Sequence, residues 1–369
     1  MIVIKKILKK DIPDLLSNPF FWNHSFLSVS KHRLYSHYKN PNLEDDDVVL
    51  LLSYINGELL GYMGVFTDKI NINNTQQKIG WLSTWWVHPK TKGSGIGREI
   101  LNTMYEALSG YIGISQFTPS AKRVYDKSGY FVTLKESPGI KAVLRSNLCF
   151  VIPTLFSNAK KITPVLAAVD SVLNILVNLK LYIQKVALKS RIKGISVEYL
   201  STIDYETQQL INQFNQQDIS IKDKAFFEWL KAYHWVESAP LIDLTNKNKY
   251  EFSIYDKTFE FYLIKILQEN QCIGFVVLQK RNYVAKVLFT YFDNQNSSVI
   301  ADILKLQCIE QDTREMICYD EAIVTHLKKS SLFLYKTKKH KQSIISKAFG
   351  KTDFTDVRVN FGDGDCSFA

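Results

Sequence analysis

Residues 85–97 read Trp85-Trp86-Val87-His88-Pro89-Lys90-Thr91-Lys92-Gly93-Ser94-Gly95-Ile96-Gly97. This is an apolar strand end, a proline stop, a basic glycine-rich loop and the start of a helix. From Ile96 the apolar residues Ile100, Leu101, Met104, Tyr105 and Leu108 recur at helical spacing, with Arg98, Glu99, Asn102 and Glu106 on the other face. The open N-terminus of such a helix presents N–H groups with no intrahelical acceptor and the positive end of the dipole, which together suit a phosphate. Glycines at 93, 95 and 97 let the backbone come close to the anion. The loop is not a dinucleotide fingerprint, which needs Gly-x-Gly-x-x-Gly, nor a Walker loop, which ends Gly-Lys-Ser/Thr. A plain tight turn would look the same, so the surroundings have to decide.

Upstream the period is that of strands. Residues 48–55 and 59–66 flank Asn56-Gly57, a pair that supplies the positive φ angles of a tight hairpin turn, and a third strand is predicted over 79–87. Residues 2–17 read as a strand and a short helix. Downstream, 111–116 is predicted as a strand, 121–127 as a short helix stopped by Gly129, and 130–134 with 140–144 as a closing strand pair.

In this setting the loop resembles that of the GNAT superfamily of acyl-CoA-dependent N-acetyltransferases. The family's pyrophosphate loop runs Gln/Arg-x-x-Gly-x-Gly/Ala, usually after Val-x-Pro. Here Val87-His88-Pro89 precede Lys92, Gly95 and Gly97, with lysine in place of Gln or Arg. A second family pattern, Asn-x-x-Ala-x-x-x-Tyr-x-x-x-Gly-Phe/Tyr, is similar to Thr118, Ala121, Tyr125, Gly129 and Tyr130, with Thr118 where the family has Asn. The resemblance covers about residues 1–148. It implies an α/β (α+β) fold of GNAT type: a central mixed, mostly antiparallel sheet flanked by helices, with acetyl-CoA as co-substrate and no metal. It further implies that the strand before the loop splays from its neighbour to admit pantetheine beside Trp86 and Val87, and that the Val87 N–H polarises the thioester carbonyl. Lys92, Gly93, Ser94, Gly95, Ile96 and Gly97 would hold the diphosphate, Thr118 and Ala121 would complete the cofactor side, and Tyr125 would protonate the departing thiolate. Read from its residues alone, Tyr125 is equally a helix aromatic packed on the sheet.

The general base is not legible. Many family members carry a glutamate on the strand entering the loop, but residues 80–87 contain no carboxylate. His88 lies close in sequence. His24, His32 and His37 fall in the segment that shapes the acceptor side in GNAT folds, and Asp46 sits in the run Asp45-Asp46-Asp47, which is either an ammonium site or a solvated loop. His24, His37, Asp46 and Trp85 are the acceptor-side candidates, and a water chain is the alternative base.

The second half echoes the first. Residues 259–267, a turn, and Cys272-Ile273-Gly274-Phe275 resemble the earlier hairpin with Leu59-Leu60-Gly61-Tyr62; a strand over 284–292 and a helix near 299–309 follow. At the place of the glycine loop stands Asp293-Asn294-Gln295-Asn296-Ser297-Ser298, with no glycine and no cation. The expected organisation is a GNAT domain over 1–148, a basic amphipathic connecting helix over 149–194, and a degenerate GNAT-like domain over 195–369 that does not bind CoA. The C-terminal Phe361-Gly362-Asp363-Gly364-Asp365-Cys366-Ser367-Phe368 reads as a terminal turn or as a pair of aspartates offered to an amine or metal. Lys336-Thr337-Lys338-Lys339-His340-Lys341 reads as a solvated strand end.

The 369 residues carry a net charge of +10, unevenly spread. Residues 1–150 hold 18 Lys+Arg against 12 Asp+Glu, residues 151–195 hold 7 against 1, and residues 196–369 hold 21 against 23. The excess is assigned to an anionic cofactor and the linker; neither a recognition motif nor an aromatic-basic platform for nucleic acid is visible. The longest uncharged run of the linker, residues 171–179, is shorter than a membrane span requires, so no transmembrane segment is expected, though a basic apolar helix over 160–193 suits peripheral contact with a membrane. Five scattered cysteines fit a reducing, cytoplasmic setting. The expected activity is acetyl transfer from acetyl-CoA to a primary amine, with an amino sugar or nucleotide-linked amino sugar of surface-polysaccharide assembly as first acceptor class. The alternatives are a Fem-type peptidyltransferase-like enzyme, against which the intact loop counts, and a non-catalytic acyl-CoA sensor or scaffold, which the missing base favours.

Overall fold

The computed structural model describes the chain apart from residues 24–25, 73–74, 234–251, 253–257, 351 and 369. Its strands are β1 Ile2–Leu8, β2 Val48–Ile55, β3 Glu58–Ile72, β4 Thr75–Val87, β5 Ile112–Ile114, β6 Phe131–Val143, β7 Ile195–Leu200, β8 Phe259–Gln268, β9 Gln271–Arg281, β10 Val284–Phe292, β11 Glu315–Cys318 and β12 Tyr335–Ser346. Its helices are α1 Ile12–Ser17, α2 Pro19–Trp22, α3 Lys31–Tyr38, α4 Ile96–Ala107, α5 Pro119–Ser128, α6 Leu148–Leu155, α7 Thr163–Arg191, α8 Tyr205–Phe214, α9 Lys224–Ala232, α10 Ser297–Glu310 and α11 Glu321–Lys329.

Two compact units emerge, and neither is contiguous. One comprises Met1–Ser137, Asn215–Lys257 and Lys341–Ala369; the other comprises Pro138–Phe214 and Thr258–His340. This differs from a division at 148 and 194, and the reason is strand pairing over long sequence distances. The closing pair expected over 130–134 and 140–144 is instead the single strand β6, extended through Pro138-Gly139. Its latter half pairs antiparallel with β11, Ile140 opposite Cys318. Residues 215–222 belong to the first unit because the Asn71 N–H donates to the Ile219 carbonyl at 2.9 Å and Lys222 Nζ pairs with buried Asp68.

In the first unit the sheet order is β1-β2-β3-β4-β5, followed by the last residues of β12, where Ile344 pairs with Ile114, and then β6. All neighbours through β4 are antiparallel; β4 and β5 are parallel. Both faces are covered, which explains the unbroken apolar run of β2. Leu51 joins Ile96, Ile100, Leu101 and Met104 of α4, while Leu50 and Leu52 join Ile12 and Leu34 from α1 and α3. The C-terminal segment is not an exposed turn. Gly364–Ser367 forms a buried 3₁₀ turn, and Phe368 packs on Phe66 and Trp229.

The second unit repeats this plan with the order β6-β11-β10-β9-β8-β7, β10 and β11 being parallel. Gly61 pairs with Val87, and a Cβ built on it would lie 2.7 Å from Ile100 Cδ1 of α4. Gly274 pairs with Phe292, and its Cβ would lie 2.5 Å from Ile300 Cδ1 of α10. The same close helix–strand approach thus recurs at the positions that the echo between the two hairpins picks out.

Candidate active site

Strand β4 carries a bulge. Tyr62 pairs with Trp86 and Gly64 with Ser83, leaving Thr84 and Trp85 opposite Met63 alone, and Thr84 adopts φ 47°. A bulge bends its strand and raises the local twist. Parallel pairing with β5 accordingly stops at Trp81–Gly113, while β4 runs on to Val87. The two strands part, as expected for this fold, and the opening lies in front of the glycine loop.

The bulge also sorts the aromatic side chains. Trp85 lies against Tyr125 at 5.3 Å between ring centroids, and a Cβ on Gly97 would lie 3.3 Å from it. Trp85 therefore packs beneath the start of α4. Trp86 faces the other way, stacked on Tyr62 at 5.5 Å and against Phe26 at 4.4 Å. With Phe21, Tyr54, Glu58 and His88 it lines a cavity of about 650 Å³.

The loop has the properties its sequence implies. Gly93 and Gly95 sit at φ +85° and +82°, and no heavy atom lies within 4 Å of where their Cβ atoms would be. They are glycines because the backbone is left-handed there, and the space before them is open. Residues 92–95 are exposed, and α4 begins at Ile96 with Gly95 as its N-cap and no side chain capping it from that position. Thr118 is the N-cap of α5, its hydroxyl accepting from the Ala121 N–H at 3.3 Å. Thr supplies the same capping oxygen as Asn, which explains why the replacement keeps the geometry.

Tyr125 is buried on α5 between Trp85, Phe117 and Phe131. Burial, and secondarily the charge of Asp365, hold its phenol well above the usual range, so it keeps its proton. The charge of Asp365 on Tyr125 reveals what sequence reading undervalued. The C-terminal segment carries this carboxylate to the point where β4 and β5 separate. Ser83 Oγ donates a short hydrogen bond to Asp365 Oδ2, and Ser115 Oγ donates to Asp365 Oδ1 at 2.8 Å. Arg33 Nη2 of α3 donates to Ser83 Oγ at 2.9 Å, and its Nε donates to His37 Nε2 at 3.3 Å. No local spacing signals this group, since Asp365 lies 282 residues from Ser83.

The remaining expected residues scatter. His37 is buried, and desolvation followed by the Arg33 charge holds its imidazole well below the usual value, so it is neutral and part of the Arg33 network. Asp46 is exposed and paired with Lys10 at 2.6 Å, a solvated loop contact. His24 lies outside the described residues. His88 Nδ1 accepts from the Lys90 N–H at 3.0 Å and its ring meets Trp86 edge-on.

Residues 4–133 match the family model described as "Acetyltransferase (GNAT) domain". Over these residues the chain is similar to that domain. No curated protein matches the chain. Among solved structures it is similar to a GCN5-related N-acetyltransferase from Anabaena variabilis (TM-score 0.49, 9% identity, 94% of this chain and 72% of that one). It is also similar to N-myristoyltransferase of Saccharomyces cerevisiae with bound myristoyl-CoA (0.48, 8%, 93% and 82%) and to Eis1 from Mycobacterium abscessus (0.43, 11%, 93% and 73%).

Proposed function

We propose that the protein is an N-acyltransferase that moves an acetyl group from acetyl-CoA to a primary amine. The observation that carries this reading is the parting of β4 from β5 directly before an exposed loop of left-handed glycines. Such a cleft accepts an extended pantetheine, and the loop with the first turn of α4 suits its diphosphate. The Val87 N–H is the donor for the thioester oxygen as charge develops. Tyr125, held protonated, gives its proton to the leaving thiolate. Asp365 is the base: its carboxylate stands at the head of the cleft, oriented by Ser83 and Ser115, and takes the ammonium proton directly or through a water so that the amine lone pair is free to attack. The aromatic cavity beside Trp86, with Glu58 among its lining residues, is the acceptor pocket, and its ring faces with one carboxylate suit an amino sugar.

The test is calorimetry with CoA followed by thiol release over a panel of amines, amino sugars and nucleotide-linked amino sugars. Absence of CoA binding overturns the reading and revives a peptidyltransferase-like enzyme; binding with no turnover of any amine favours a sensor. In the same assay Asp365→Asn is expected to lower kcat about 100-fold with CoA affinity unchanged. An unaltered rate removes Asp365 as the base.

A further inference from the structure

The segment between β6 and β7 is poorly covered by its own unit. Helix α6 buries none of its side chains, and in the 29 residues of α7 only Asp170, Leu181 and Leu188 are buried. One face of α7 is tied down. Asp170 accepts from Ser146 Oγ at 2.6 Å and from the N–H groups of Leu148 and Cys149 at 2.8 and 2.9 Å, capping α6. Asn174 exchanges two hydrogen bonds with the Ser146 backbone, and Leu181 and Leu188 enter the unit's core.

The opposite face is apolar and open. Val165, Val169, Val172, Leu176, Leu179 and Ile183 follow one another at alternating steps of four and three, the stripe continues to Val186, and these residues are 41–69% exposed. Leu173, Ile175 and Tyr182 widen it, and Phe150, Leu155 and Phe156 extend it toward α6. A contiguous exposed apolar face of this kind marks an interaction site rather than ordinary surface.

By length and composition 158–191 is one helix able to cross a membrane, with 6% of its apolar window buried. Length and composition alone therefore leave a span open, since isolated charges do not disqualify one. The connections argue against crossing. The segment leaves the sheet at Val143, paired with Glu315, and returns to it at Ile195, paired with Gln268. A single crossing would set β6 and β7, strands of one sheet, on opposite sides of the bilayer.

Charge distinguishes the occupants of this face. Residues 151–195 contain seven Lys and Arg and one acidic residue, Asp170, which is turned inward. Lys185 and Lys189 pair with Glu310, and Arg191 with Asp302. Lys160 and Lys161 precede the stripe and Lys193 follows it, all exposed. A second copy of the chain would bring this basic set against itself with no acid on the face to answer it. An anionic lipid surface answers both the cations and the apolar side chains.

We propose that the exposed face of α7, with α6 and the lysines at its ends, docks the protein on an anionic membrane, the helix lying in the interface. The test uses the full-length protein and sedimentation with phosphatidylcholine vesicles, with and without 30% phosphatidylglycerol. Binding is expected to the anionic vesicles and to fall steeply at high salt. Lys160→Ser with Lys161→Ser should weaken it roughly 10- to 30-fold. Leu176→Ser with Leu179→Ser and Ile183→Ser should abolish it while thermal unfolding and CoA binding stay native. Absence of vesicle binding overturns the proposal. So does a dimer, seen by light scattering without lipid, that the serine variant dissociates, since a second copy then covers the face.

Discussion

At the end of β4, His88 accepts the Lys90 N–H, a 3₁₀ turn covers Pro89–Thr91, and four residues, Lys92 to Gly95, intervene before α4. At the end of β10, Asp293 accepts the Gln295 N–H at 2.9 Å, a 3₁₀ turn covers Asn294–Asn296, and α10 begins with the next residue. The second junction thus lacks the glycine loop of the first and carries a carboxylate on the 3₁₀ turn that leads into the helix, a charge that disfavours phosphate. Cations do stand near α10, but Asp302 pairs with both Lys305 and Arg191. The tyrosine is lost as well: counting from the N-cap, Tyr125 follows Thr118 by seven residues, and the seventh after Asp320 is buried Leu327. What both junctions keep is packing, because the glycine that lets the helix approach the strand serves the core whether or not a ligand is bound.

The largest effect should come from making the first junction like the second. Deleting residues 92–95 is expected to cost about 100-fold or more in CoA affinity by calorimetry, whereas alanine at 294–296 should change nothing. Equal losses from both would mean the second junction also binds CoA, and the contrast would fall. Next, Tyr125→Phe should lower kcat about 10- to 100-fold at unchanged CoA affinity, and a native rate would take the phenol out of the mechanism.

The shared packing predicts similar rather than different outcomes. Gly61→Ala and Gly274→Ala should each destabilise by about 1–3 kcal/mol in urea unfolding, each partly rescued by Ile100→Val or Ile300→Val, which remove the clashing Cδ1 atoms. A loss at only one site would break the claim of a common design.

The smallest effect concerns a buried group of the first unit. Burial pushes the Asp363 carboxyl up to about 7, the nearby Lys222 ammonium only partly opposing it. Its folded pKa lies above that of the unfolded chain, about 4. The native state is therefore favoured while this group is protonated, and that contribution is lost as pH rises through 7. Asp363→Asn should gain stability relative to the native chain between pH 5 and 8, read as the difference in melting temperature; a constant difference would remove the shift.

The local patterns were legible because they are short-range. Asn56-Gly57 sets a turn, residues 96–108 set a helix face, and Thr118 to Tyr130 set a capped helix and its glycine stop, each by rules that act over a few residues. The GNAT character of the first 133 residues and the empty second loop follow from these. Only the tertiary structure decided that residues 131–143 form one strand, since nothing in Pro138-Gly139 says that the strand continues through them. It also decided that Asp365 meets Ser83 and Ser115, a contact made by burying the chain's last turn against β4. And it decided that α7 leaves an apolar face uncovered, because the sequence sets which residues share a helix face, while what lies against that face depends on the rest of the chain.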